Sequence, residues 1–210
     1  VLGVVGPAMA QDGVLLHEDR KLTADDAAAG DGFGWDVAID KGVVAVGAAY
    51  KDGANLESGA VYLFDAGTGR QTTKIVPDGD LLRERFGGAV DLDDGVLVVG
   101  TLGNALNQFT RAEAFVYRVR TGEEIGRLLP EDGAARDGYG WAVAIDGRQL
   151  VIGAFSDNTP NGSNSGSVYH FTSQHGKQRA KLIASDGKRN DEFGFSVAVN
   201  DGVIAIGATG

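Results

Sequence analysis

The octet FGWDVAID at residues 33–40 recurs as FGGAVDLD from Phe86, YGWAVAID from Tyr139 and FGFSVAVN from Phe193. The opening aromatics, Phe33, Phe86, Tyr139 and Phe193, stand 53, 53 and 54 residues apart. Each is followed at once by a glycine: Gly34, Gly87, Gly140 and Gly194. A second glycine keeps step 14 residues after the aromatic, as Gly47, Gly100, Gly153 and Gly207. An aliphatic residue precedes it by 11 positions, as Leu22, Ile75, Leu128 and Leu182, and the three complete units share Tyr62, Tyr117 and Tyr169. A register this strict, at a period of roughly fifty residues, is the signature of a repeat architecture. In such a fold no unit buries its faces alone, and stacking supplies the core.

One unit reads as four short strands. Phe33, Trp35, Val37 and Ile39 alternate with Gly34, Asp36, Ala38 and Asp40, and period two is strand periodicity. One face is large and apolar and the other is small, as stacked sheets require. Asp40-Lys41-Gly42, Asp93-Asp94-Gly95, Asp146-Gly147-Arg148 and Asn200-Asp201-Gly202 follow, all hairpin-turn chemistry. The runs VVAVGAA, VLVVGTL, LVIGAF and VIAIGAT are apolar almost without alternation, so they read as strands buried on both faces. The fixed glycine within them marks a close backbone approach or a bend. A variable polar loop leads to a third strand (GAVYLFD, EAFVYRV, GSVYHFT), and a fourth contains TTKIVP, IGRLLP or AKLIAS. The expected fold is all-β: a β-propeller of four-stranded antiparallel blades. The units run 33–85, 86–138 and 139–192, with a partial unit 193–210 and a lone fourth strand within 21–32.

Phe33-Gly34, Phe86-Gly87, Tyr139-Gly140 and Phe193-Gly194, together with the later VGAA, VGTL, IGAF and IGAT, make the chain similar to the FG-GAP repeat family. That family is known from integrin α-subunit propellers and many bacterial surface proteins. The resemblance runs from about Leu22 to Gly210. It implies a propeller of seven blades, of which about four are present, and an extracellular or cell-surface binding role. Many members carry a calcium loop between the first two strands. Here that connection is two or three residues, too short to supply six to eight oxygen ligands. The resemblance is to the branch without that loop, and no metal is carried over.

The formal net charge is −10, which argues against a nucleic-acid partner and an anionic membrane surface. There is no cysteine, so disulfides and thiolate metal sites are excluded. Residues 1–10, ending Ala8-Met9-Ala10 before Gln11, read as the tail of a secretory signal peptide, with an ordinary apolar strand as the alternative. The remaining stretch, 11–210, is then the exported propeller. No segment of it is long enough to insert across a bilayer as a helix. The partial fourth unit is expected to leave open blade edges that invite self-association.

Four residues are candidates for ligand binding. Phe109 and Arg111 lie in the variable loop LGNALNQFTRAE and are residue types that anchor interfaces. Asp157 and Asn161 lie in SDNTPNGSNSG (156–166), an oxygen-rich loop that could hold calcium weakly and otherwise reads as flexible and polar. No other cofactor is expected. Acidic residues recur two places before each aromatic (Asp31, Glu84, Asp137, Asp191) and seven before (Asp26, Asp132, Asp186, with Gly79 breaking the series). They form either a binding ring or a set of loop-ordering carboxylates. Repetition favours the second reading. Trp35 and Trp141 share one register position, where Gly88 and Phe195 stand in the other copies; core packing is expected of them, with a sugar-stacking platform as the alternative. No histidine pair has zinc spacing, and no nucleophile elbow or P-loop is present. The expected function is a non-catalytic binding or adhesion module for a protein or glycan ligand. A hydrolase using rim carboxylates and a structural spacer are the alternatives.

Overall fold

The computed structural model describes residues 2–4, 18–53, 55–78, 83–103, 113–172 and 176–210. Every regular element among them is a β-strand. A short pair, β1 (Leu2–Val4) and β2 (Arg20–Leu22), opens the chain. β1 falls within the stretch that could also be read as a leader. Three four-stranded sheets follow in simple meander order: β3 (Phe33–Asp40), β4 (Val43–Ala48), β5 (Ala60–Asp65) and β6 (Gln71–Ile75); β7 (Phe86–Asp93), β8 (Val96–Thr101), β9 (Ala114–Arg118) and β10 (Glu123–Leu128); β11 (Tyr139–Asp146), β12 (Gln149–Ala154), β13 (Ser167–Thr172) and β14 (Lys177–Leu182). A last pair is β15 (Ser196–Asn200) and β16 (Val203–Gly207). Each sheet is a blade, all pairing within blades is antiparallel, and among the described residues the array does not close into a ring.

The first hairpins are tight because their turns accept positive φ. Lys41 and Gly42 have φ of 44° and 82°, Asp94 and Gly95 46° and 76°, and Asp201 and Gly202 48° and 80°. Two successive positive values are the type I′ pattern that matches strand twist.

The core lies between blades. Ala45, Val61, Leu63 and Ile75 of the first blade pack against Phe86, Val90, Leu92, Leu97 and Phe115 of the second. Val98, Val116 and Leu128 of the second pack against Tyr139, Val143 and Ile145 of the third. Ala144, Val151 and Val168 of the third meet Val197, Val199, Ile204 and Ile206 of the last pair. Large faces thus fill the shallower faces of their neighbours, as the alternation predicts.

The start of each first strand departs from simple alternation. The residue after each aromatic-Gly pair donates its N–H back to the residue before it: Trp35 to Gly32 O at 3.0 Å, Gly88 to Arg85 O at 3.1 Å, Trp141 to Gly138 O at 3.2 Å and Phe195 to Glu192 O at 3.1 Å. Between them Gly34, Gly87, Gly140 and Gly194 have φ of 87°, 85°, 85° and 95°. That is the third position of a type II turn, which strongly favours glycine. The ladder shifts there, between Phe33 and Val37 and between Tyr139 and Val143. The turn takes Trp35 off the face that Phe33 occupies. Phe33 packs edge-on against Tyr62 and Phe64, whereas Trp35 is 48% exposed. The expected core role of Trp35 therefore does not hold, and the turn is the reason.

The second repeated glycine has its explanation one blade away. A Cβ on Gly47 would lie 2.0 Å from the carbonyl oxygen of Gly87, one on Gly100 2.0 Å from Gly140 O, and one on Gly153 2.1 Å from Gly194 O. The two glycines of the repeat are a single device. The carbonyl of each turn glycine seats on the Cα of the strand-two glycine in the preceding blade, and only hydrogen there permits the approach.

Candidate functional site

Repeated carboxylates fasten blade to blade. Asp40 Oδ2 accepts the Asp94 N–H at 3.0 Å, Asp93 Oδ2 that of Gly147 at 2.6 Å, and Asp146 Oδ2 that of Asp201 at 2.7 Å. Deeper in, Asp36 takes the N–H groups of Val37 (2.9 Å) and Val90 (2.8 Å), while Asp91 takes those of Leu92 (2.8 Å) and Ile145 (2.8 Å). Desolvation raises the pKa of both Asp36 and Asp91, against the lowering effect of these amides.

Three of the four acidic residues two places before the aromatic do what the loop-ordering reading expects. Asp31, Asp137 and Asp191 each accept the N–H three residues earlier, from Ala28, Ala134 and Lys188. The series seven places before forms a latch. Asp26 accepts from the Tyr62 hydroxyl at 2.7 Å and the Lys74 ammonium at 2.6 Å, and Asp132 from Tyr169 at 2.9 Å and Lys181 at 2.6 Å. Each lysine also lies over its tyrosine ring. Lys74 and the Tyr62 hydroxyl outweigh desolvation and hold the Asp26 carboxyl down at about 2.

Beside these latches one position changes sign. Lys51 and Asp157 both stand 18 residues after their aromatic. Lys51 is buried and reaches Asp31 at 2.9 Å and Asp26 O at 2.7 Å. Asp157 is buried and takes the Ser167 hydroxyl at 2.5 Å and Lys181 at 2.7 Å. Sequence alignment of the copies exposes the swap, but which charges meet is decided by the fold.

The first and third blades' loops between strands two and three end in the same backbone pattern: Leu56, Glu57 and Ser58 accept the N–H groups of Arg83, Arg85 and Phe86, and Ser163, Asn164 and Ser165 accept those of Asn190, Glu192 and Phe193. Loop 156–166 is internally bonded. Thr159 and Ser165 share a hydroxyl contact of 2.7 Å, and Asn161 Nδ2 donates to Ala184 O at 2.7 Å. The structure thus turns Asp157 and Asn161 inward and does not bring their side chains together. Phe109 and Arg111 lie outside the described residues. Among the described residues no group of three or more His, Asp or Glu side chains is placed to hold a metal ion. His170 Nε2 is buried without a hydrogen-bond partner, and burial lowers its pKa.

The inner strands enclose an open groove of about 520 Å³. Trp35, Trp141 and Phe195, all two residues after a repeat aromatic, line it with Leu102, Asp36 and Asp91. Gly88 holds the matching position between the two tryptophans, and Leu102 lies where a Cβ would fall, 2.1 Å away. The indoles are braced from the loops: Trp35 edge-on by Tyr50, Trp141 by Phe155, with ring centroids 5.1 and 4.9 Å apart. Reading position two across the copies (Trp, Gly, Trp, Phe) picks out these residues, but that they line a groove is decided by the stacking of the blades.

Stacked four-stranded blades, a type II turn at each aromatic-Gly pair and a glycine-to-glycine seat between blades define a β-propeller repeat protein. The FG-GAP repeat family model matches residues 16–64, 123–171 and 177–210, well over half of the chain. The chain belongs to the FG-GAP repeat family. No curated protein matches it significantly. Members of this family are generally non-catalytic, and such repeats are typical of extracellular or surface proteins.

Proposed function

We propose that this protein is an exported, non-catalytic binding module that engages a protein or glycan ligand at the rim carrying the strand-two to strand-three loops. One observation carries the reading. Directly below that rim the frame of the first blade is copied in the third, in the carbonyl ladders of 56–58 and 163–165, while the loops it carries share no sequence. Variable loops on an invariant scaffold are where recognition is placed. Export fits the family and the apolar start of the chain. The test is adhesion of beads coated with the protein to the surface of its own and neighbouring cells. Replacing residues 104–111 with a Gly-Ser linker of equal length abolishes adhesion with the thermal midpoint unchanged. Undiminished adhesion by that variant overturns the assignment of the rim.

A further inference from the structure

The groove inside the rim has a composition of its own. Trp35 in it is 48% exposed and Trp141 and Phe195 are half-buried, although the same chain buries Phe64, Phe86, Phe115 and Phe171 almost completely. Its two indoles come from alternate blades, and in the intervening blade Leu102 occupies the space beside Gly88. The indoles are held by neighbouring rings, Tyr50 on one and Phe155 and Phe195 on the other, so little ordering would remain for a ligand to impose. Its charged groups are the carboxylates of Asp36 and Asp91, with the Ser196 side chain alongside. A volume of about 520 Å³ is within the range of small-ligand sites.

Each feature narrows the ligand. Two carboxylates in the groove and a net charge of −10 repel anions, including nucleic acids and sulfated or uronic polymers. All four carboxylate oxygens already accept a backbone N–H. Their remaining lone pairs can each take one further donor, and a single hydroxyl supplies that. The open aromatic rings ask for a flat, weakly polar C–H face. A pyranose offers both, an apolar ring face with hydroxyl donors at its edge, and a groove that crosses several first strands suits a chain of such rings.

We propose that the groove lined by Trp35, Trp141 and Phe195 binds a neutral hexopyranose oligosaccharide, stacked on the aromatic rings and donating hydroxyl hydrogens to Asp36 and Asp91. This rests on the reading of the protein as a binding module and names the ligand class for the inner side of its rim.

The two tryptophans of the chain are Trp35 and Trp141, so intrinsic fluorescence reports on this groove alone. Titration of the 210-residue protein with cellohexaose, mannohexaose and maltohexaose gives a saturable emission change with at least one of them. Trp35→Ala, at a half-exposed position, weakens that binding by about tenfold or more, followed for this variant by calorimetry. Trp141→Ala, which removes the second indole, also weakens it, read from the emission of Trp35; far-ultraviolet dichroism checks that each variant is folded. No response to any of the three sugars overturns the proposal, as does binding that survives Trp35→Ala in a folded protein. A response to an arginine-rich peptide in place of the sugars also overturns it. The 104–111 linker variant keeps the sugar response, so loss of bead adhesion and loss of sugar binding fail separately.

Discussion

Alanine at Gly100 is the sharpest test of how the blades are held. Its Cβ would stand 2.0 Å from the carbonyl oxygen of Gly140 and 3.0 Å from the carbonyl carbon, where an ordinary contact begins at 3.4 Å. Both clashing groups are backbone in paired strands, so no side chain can swing aside. The third blade would have to retreat by about 1.4 Å, the difference between those distances. A radial gap of about 1 Å already forfeits up to about half of each dispersion contact, and Val98, Val116, Val143 and Ile145 all lie in this interface. Overpacking a tight core costs about 1–3 kcal/mol, and a backbone clash belongs at the upper end. The unfolded chain, stiffened by alanine, returns about 0.4–1 kcal/mol. The net expectation is a loss of about 2–3 kcal/mol, or about 5–10 °C in midpoint for a chain of this size. Gly126→Ala is the control: a strand glycine with nothing within 4 Å of its would-be Cβ and no positive φ. It should be neutral or slightly stabilising. Urea and thermal melts by circular dichroism compare the two. Equal stability of the two variants would refute the glycine-seat account.

Three further outcomes follow from the carboxylates. Lys181→Met strands the buried Asp157, which otherwise meets Lys181 at 2.7 Å, and is expected to cost about 3 kcal/mol in urea melts; adding Asp157→Asn should recover most of it, and no recovery would mean the charge is not the cause. Asp91→Ala leaves the Leu92 and Ile145 N–H groups without their acceptor and should cost about 1–3 kcal/mol, with Asp91→Asn milder because its amide oxygen still accepts. Asp26, whose carboxyl is held at about 2 against an ordinary 3.8, contributes stability that is complete above pH 3.8 and is lost as pH falls toward 2. Asp26→Asn should therefore flatten the acid limb of a pH–stability curve in that window and leave its slope near neutrality unchanged.

The sequence alone determined the order and type of the strands within the repeat units, because two periodicities act at once. Alternation within FGWDVAID and its copies marks strands, and the repeat of about fifty residues marks units too small to bury their own faces. The turn residues at 41–42, 94–95 and 201–202 announced their hairpins, since positive φ at both positions admits few side chains. The carboxylates of Asp31, Asp137 and Asp191 were legible as loop-ordering groups for the same local reason: each bonds three residues away.

Tertiary structure decided whatever depends on a neighbouring blade. That Gly47, Gly100 and Gly153 are glycine because of Gly87, Gly140 and Gly194 is a contact between units, and no window of sequence contains both partners in their relation. The exposure of Trp35 was misread for a related cause. Period two predicts a face only while the strand is regular, and the type II turn at Phe33-Gly34 breaks the count before the tryptophan. The latches of Asp26 with Tyr62 and Lys74, and of Asp132 with Tyr169 and Lys181, span up to 49 residues, and the groove gathers side chains from β3, β7, β11 and β15. Local rules set what each blade is, and stacking sets which residues meet, since a repeat protein makes its core and its sites between units.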